Sequence, residues 1–193
     1  MPRGVARDHD EKRAALRKGA AQYFAQMGYD RASMTGAAKT CGVSKALLYH
    51  YYASKEALLF DILEDHLAGL VDRAETARDE GITGLIREIL AAYADADAEH
   101  KLQIDALATL PPEMQAPLIA LQRELVSLMG EAVRARRGDL SADRLRAATM
   151  SVFGLLNWFY MWHRPGKGLS RDQYAELAAE FVLGGLAGLS AAD

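Results

Sequence analysis

The stretch Cys41–Leu59, CGVSKALLYHYYASKEALL, concentrates most of the side chains able to do chemistry in one place. Tyr49, His50, Tyr51 and Tyr52 stand in a row, with Lys45 before them and Lys55 after. Phenol, imidazole and ammonium groups at this density suit contacts to phosphate and to the edges of bases. The same aromatics would also serve as packed core or as a stacking surface. Catalysis is poorly supplied elsewhere. The histidines at 9, 50, 66, 100 and 163 are scattered, and no nucleophile–base pair, phosphate loop or metal-ligand spacing accompanies them. His50 lacks a second ligand at a fitting spacing. The single cysteine, Cys41, excludes an internal disulfide and reads as a small buried residue, a redox switch being the alternative. No cofactor, metal or catalytic residue is expected.

Half of the 193 residues are apolar and a quarter charged, which is globular composition. Ala and Leu dominate and β-branched residues are sparse, so an all-α chain is expected. The N-terminus has no apolar run of a signal peptide, and Ser151–Trp162 falls short of the ~20 residues of a membrane span. A soluble, cytoplasmic protein without membrane contact is therefore expected. Net charge is −3, but unevenly placed: residues 1–60 carry ten Lys or Arg against five Asp or Glu, and residues 61–193 thirteen against twenty-one. A basic head on an acidic body suggests that the head meets a polyanion.

The elements that must position these side chains follow from periodicity and capping. Asp10–Met27 repeats apolar residues at helical spacing and ends at Gly28, placed as a left-handed cap. Ser33 caps a short helix, Met34–Thr40; Gly42 permits a tight turn; Ser44 opens a third helix through Tyr51. Ser54 opens a fourth, towards Arg78. Further helices are predicted at Ile82–Ala96, Glu99–Thr109, Pro112–Arg137, Ser141–His163 and Ser170–Leu189, about nine in all. Leu110-Pro111-Pro112 and the Arg164–Gly168 run are the clearest breaks. The division expected is a basic head at 1–53 and an acidic helical body at 54–193.

Two short helices joined by a glycine-bearing turn make a helix-turn-helix, although a helical hairpin serving only as core has the same spacing. The side chains favour DNA. Leu48 and Tyr52 share a core face with Val43, which leaves Ser44, Lys45, Leu47, Tyr49, His50 and Tyr51 outward. Ala46 or Leu47 could meet a thymine methyl.

Ser33–Leu59 resembles the DNA-binding signature of the TetR family of bacterial regulators. The matching residues are Ala37-Ala38, Gly42-Val43-Ser44, Leu48-Tyr49, the aromatic Tyr52 and Lys55-Glu56-Ala57-Leu58, with Tyr23, Phe24 and Gly28 in the first helix. Ala37 and Tyr52 depart from it, since the family usually has a branched aliphatic residue and phenylalanine there. The resemblance implies phosphate contacts from Thr35, Tyr49 and Lys55. It places Lys45, Ala46, Leu47, His50 and Tyr51 in or beside the major groove, with Ser44 capping the recognition helix.

For the body, the resemblance implies an all-helical ligand-binding domain whose last two long helices pair in a homodimer. Ala147, Ser151, Gly154, Trp158 and Trp162 form one stripe, and Gly184, Gly185 and Gly188 lie in the last helix, where close helix approach or a frayed end would accommodate them. A second stripe, Met150, Phe153, Asn157 and Met161, faces elsewhere, with Tyr93, Leu102, Met114, Leu125 and Met129 as neighbours in an apolar effector pocket. Plain core packing would use the same residues. Leu156–Gly166 resembles a motif of TetR-type regulators of fatty-acid and phenylacetate catabolism, whose effectors are acyl-coenzyme A thioesters. Arg123, Arg134, Arg164 and Lys167 would then be phosphate partners, with ordinary surface charge as the other reading of each. The function expected is a ligand-responsive repressor whose partners are a double-stranded DNA operator, a small effector and a second copy of itself. A ligand-independent DNA-binding protein or a small helical enzyme are the alternatives.

Overall fold

The computed structural model describes residues 3–164 and 166–190; Pro165, in a predicted break, lies outside them. The helices are α1 (Arg3–Met27), α2 (Met34–Thr40), α3 (Lys45–Tyr51), α4 (Lys55–Thr76), α5 (Gly81–Ala92), α6 (Asp97–Asp105), α7 (Pro112–Arg136), α8 (Ala142–Asn157), the single turn α9 (Phe159–Trp162) and α10 (Arg171–Gly188). Among the described residues the only extended pairing is an isolated bridge between Arg164 and Lys167.

Boundaries follow local chemistry. Ser33, Ser44 and Ser54 each accept a hydrogen bond from the amide three residues on, at 3.1 Å. Ser170 goes further: it forms a full capping box with Gln173. Ser141 occupies the N-cap position of α8, but its side chain makes no such bond. The predicted fifth helix stops at Ala92, four residues early, ahead of Asp95 at φ 61°. The predicted Glu99–Thr109 helix ends at Asp105 and tightens into a 3-10 turn, Leu107–Thr109. Ser141–His163 is two segments, interrupted at Trp158.

The chain forms two compact units. The first comprises the residues up to His66 together with Ala96–Leu118, and the second Leu67–Asp95 with Ile119 onward. The predicted 1–53 head lies inside the first unit, which also takes in the start of α4 and all of α6. Its core holds Leu16, Ala20 and Phe24 of α1, Met34, Ala37 and Ala38 of α2, Leu48 of α3, and Leu58, Leu59 and Ile62 of α4. The second unit packs α5 on α10 around Ile86, Ile89, Ala178 and Val182. In that unit Arg137 donates to the carbonyls of Leu186 and Leu189, neutralising the C-terminal end of α10.

Candidate nucleic-acid interface

The turn between α2 and α3 is built by backbone bonds. Gly42, at φ +67°, ends α2 in the left-handed region, its N–H bonds to Lys39 O and the Val43 N–H to Ala38 O, at 3.1 and 3.0 Å. This crossed pair is a Schellman motif, and it reverses the chain in three residues. Gly28 also has positive φ, at 80°, but with ψ 129° it is not the left-handed cap predicted for it. Gly36 has a different reason to be glycine. A Cβ there would overlap the Tyr23 hydroxyl and ring, so the end of this α1 side chain lies directly against α2.

α3 buries Leu48 alone. Ser44 caps it, as predicted, and Thr35, Ser44, Lys45, Ala46, Tyr49 and His50 are exposed, with Leu47 and Tyr51 half-buried. The Lys45 ammonium stands 5.6 Å from the Tyr49 ring centroid. Thus the outward face carries one cation, two phenols, an imidazole and small apolar groups, a mixture able to meet phosphate and base edges.

Lys55 sits differently from the phosphate role expected of it. It is half-buried over the Tyr29 ring, 4.3 Å from the centroid, and donates to the carbonyls of Tyr29 and Ala32 at 3.0 and 3.2 Å. Two of the three ammonium donors therefore tie α4 to the α1–α2 connection.

Tyr52, predicted as core, is buried, but it lies just past the end of α3 in extended conformation. Its hydroxyl donates to Asp61 at 2.6 Å, and Arg13 grips the same carboxylate at 2.5 and 3.1 Å. Burial first, then the Asp61 hydrogen bond, push the Tyr52 phenol up, which keeps it a donor. Here is the reason for tyrosine where the family pattern has phenylalanine: Asp61, a buried carboxylate, needs partners. Asp61 and Arg13 escaped sequence reasoning because 48 residues separate them. The half-buried Cys41 thiol lies 3.5 Å from Leu16 O and is pushed up by burial, so its nucleophilic thiolate is suppressed.

The body residues divide. In the second unit Tyr93, Leu125, Met129 and Phe153 are buried, and Tyr93 Oη donates to Asn157 Oδ1 at 2.9 Å, giving this amide the partner it requires. Leu102 and half-buried Met114 belong to the first unit. Met150 and Met161, expected in the pocket, are instead 49% and 45% exposed. Met150 lies three residues after Ala147 and four before Gly154, on the outward side of α8. Met161 falls beyond the break at Trp158, where helical register no longer carries over. Ala147, Ser151, Gly154, Trp158, Trp162, Gly184, Gly185 and Gly188 are all exposed, as are Arg123, Arg134, Arg164 and Lys167.

Comparison with known proteins places this geometry. Residues 16–62 match the model of the bacterial regulatory proteins of the tetR family, and residues 75–186 match the tetracyclin repressor-like C-terminal domain. The chain belongs to the TetR family. A TetR-family transcriptional regulator from Bordetella parapertussis 12822 superposes with a TM-score of 0.84 and 31% identity, over 93% of this chain and 98% of that one. The HTH-type transcriptional repressor Rv1474c of Mycobacterium tuberculosis is 27% identical over 76% of this chain and 80% of its own length. AibR, solved with isovaleryl coenzyme A and operator DNA, shares the fold with a TM-score of 0.72 and 23% identity, over 90% of this chain and 96% of that one. This TetR protein is thus a DNA-binding transcriptional regulator, of a family of regulators rather than enzymes. None of its described helices is long and apolar enough to cross a membrane.

Proposed function

We propose that this TetR protein is a homodimeric repressor that reads a near-palindromic operator through the outward face of α3 and leaves it when a small apolar or acyl-coenzyme A-like effector binds the body. The observation that carries the DNA assignment is that α3 buries only Leu48. Lys45, Ala46, Leu47, His50 and Tyr51 are assigned to the groove, and Thr35 and Tyr49 to phosphate, with Ser44 presenting the first amides of the helix. Lys55 keeps one donor for phosphate, its main work being structural.

The dimer assignment rests on the outer sides of α8 to α10. Trp158 and Phe181 are 61% and 72% exposed, large apolar surfaces that a partner would cover. An apolar groove of about 350 Å3 is lined by Val152, Leu155, Phe181 and Gly185. A Cβ on Gly154, Gly184, Gly185 or Gly188 would meet nothing within 4 Å of the same chain. Each helical glycine costs about 1 kcal/mol relative to alanine, so the approach they permit belongs to a partner helix. Two-fold symmetry would set the recognition helices about 34–36 Å apart, in successive major grooves.

For the effector, the bond from buried Tyr93 to half-buried Asn157, with buried Phe153 one turn earlier on α8, offers a polar anchor among apolar side chains. AibR, bound to an acyl-coenzyme A, supports this ligand class. An effector shifts the head spacing usefully only if it favours the non-binding state by a few kcal/mol.

Operator selection from a random duplex pool, followed by titration with a panel of acyl-coenzyme A thioesters, tests the reading. Enrichment of inverted repeats bound by two protomers, and release by one or more thioesters, are expected. Enrichment of no sequence would sink the operator reading. Release by no thioester would remove the effector class and leave the regulator assignment standing.

A further inference from the structure

α1 extends well beyond what the core holds. Residues 8–15 are all exposed, and Leu16 is the first side chain buried after them. An unburied helical stretch of this length is marginal by itself, so its tertiary contacts decide whether it forms. Arg13 supplies one through Asp61. A full turn further out, the His9 ring lies stacked on Tyr51, with centroids 4.8 Å apart and planes 26° from parallel. His50 meets the same Tyr51 ring edge-on at 5.7 Å and 89°. Tyr51 therefore meets two imidazoles, one from α1 across its face and one from its own helix edge-on. That leaves it half-buried while Tyr49 and His50 stay exposed.

We propose that His9 is a positioning residue for operator binding, fixing the Tyr51 ring at the end of the recognition helix in the orientation that meets DNA. This rests on the reading of the α3 face as the DNA interface. A free tyrosine must give up rotamer freedom when it docks; one already stacked on a neighbouring ring has given it up in the unbound protein, and binding gains accordingly. The stack uses the face of the imidazole and not its charge, so any planar ring at position 9 should serve.

The test uses the full chain carrying His9→Ala, His9→Phe, Tyr51→Ala or the His9→Ala/Tyr51→Ala pair. Operator affinity is read by fluorescence anisotropy across a salt series, and folding by thermal melting. His9→Ala should weaken binding about three- to tenfold with only a small shift of the melting curve, the protein staying folded at the assay temperature, and His9→Phe should restore binding to within about twofold. The double variant should bind about as weakly as Tyr51→Ala alone, because the two side chains act as one unit. Wild-type affinity in His9→Ala beside a weakened Tyr51→Ala overturns the inference and leaves the interface reading intact. Unchanged affinity in Tyr51→Ala removes Tyr51 from the interface, and the inference with it. If His9→Phe stays as weak as His9→Ala and the salt slope flattens in both, His9 is a direct phosphate contact and not a positioning residue.

Discussion

Lys55 shows how one side chain can carry two demands. Its ammonium bonds the carbonyls of Tyr29 and Ala32 across the base of the head, so its loss removes partners from two backbone acceptors. Lys55→Ala is expected to lower stability by about 1–3 kcal/mol, seen as a fall in the denaturation midpoint. Tyr49→Phe should leave the midpoint alone and weaken binding to all sequences alike, as loss of a phosphate contact does. A Lys55→Ala protein of wild-type stability would return Lys55 to a purely DNA-facing role. His66 makes a pH-dependent statement. Buried on α4 near His100 and Lys18, it is pushed down to about 3, by desolvation first and then by electrostatic interaction with those two neighbours. The native state keeps it neutral while the unfolded chain protonates it near 6.5, so its contribution is present above that pH and is lost as pH falls towards 3. Between pH 7 and 5, His66→Leu should lose about 2 kcal/mol less stability than wild type, measured by denaturant unfolding at each pH. Parallel pH profiles would show that His66 does not titrate on unfolding.

Among the elements, the short helices were the most legible. Met34–Thr40 and Lys45–Tyr51 fall where Ser33, Gly42 and Ser44 place them, because capping serines and a positive-φ glycine act through bonds within four residues. Helix ends without such signals were misplaced: α5 stops early, and α8 breaks at Trp158 with no glycine or proline to announce it. That break is why Met161 left the predicted stripe. Gly36 is a case in which pairwise packing decides. Alanine inside a helix usually gains about 1 kcal/mol over glycine, but at residue 36 its methyl would drive into the Tyr23 ring. Gly36→Ala is expected to destabilise by about 1–3 kcal/mol and to weaken operator binding by misplacing α2. A rise in melting temperature would contradict the packing of the Tyr23 ring against residue 36.

At the scale of the whole molecule, the glycines of α10 separate a monomer from a dimer by sign. Within one chain Gly184→Ala and Gly185→Ala meet no obstacle and should raise helix stability by about 0.5–1 kcal/mol each. Where a partner helix packs on them, the same methyls hold the helices apart and weaken association. Sedimentation equilibrium and melting at matched concentrations read both effects, and weaker dimerisation is expected. A double variant that is more stable and equally dimeric would place the interface elsewhere. The all-helical class, the helix-turn-helix and its outward chemistry could be read from residue types, capping signals and local periodicity, since each depends on neighbours a few positions away. The family, too, was written in short-range spacing. Contacts between distant residues were not readable in this way. Asp61 meeting Tyr52 and Arg13, Lys55 closing on the α1–α2 connection, the Tyr93–Asn157 bond and the His9–Tyr51 stack all join residues that local pattern treats as independent. Only the packed chain brings them within bonding distance, because burial leaves a charge or an amide no solvent and obliges it to find a partner within the fold.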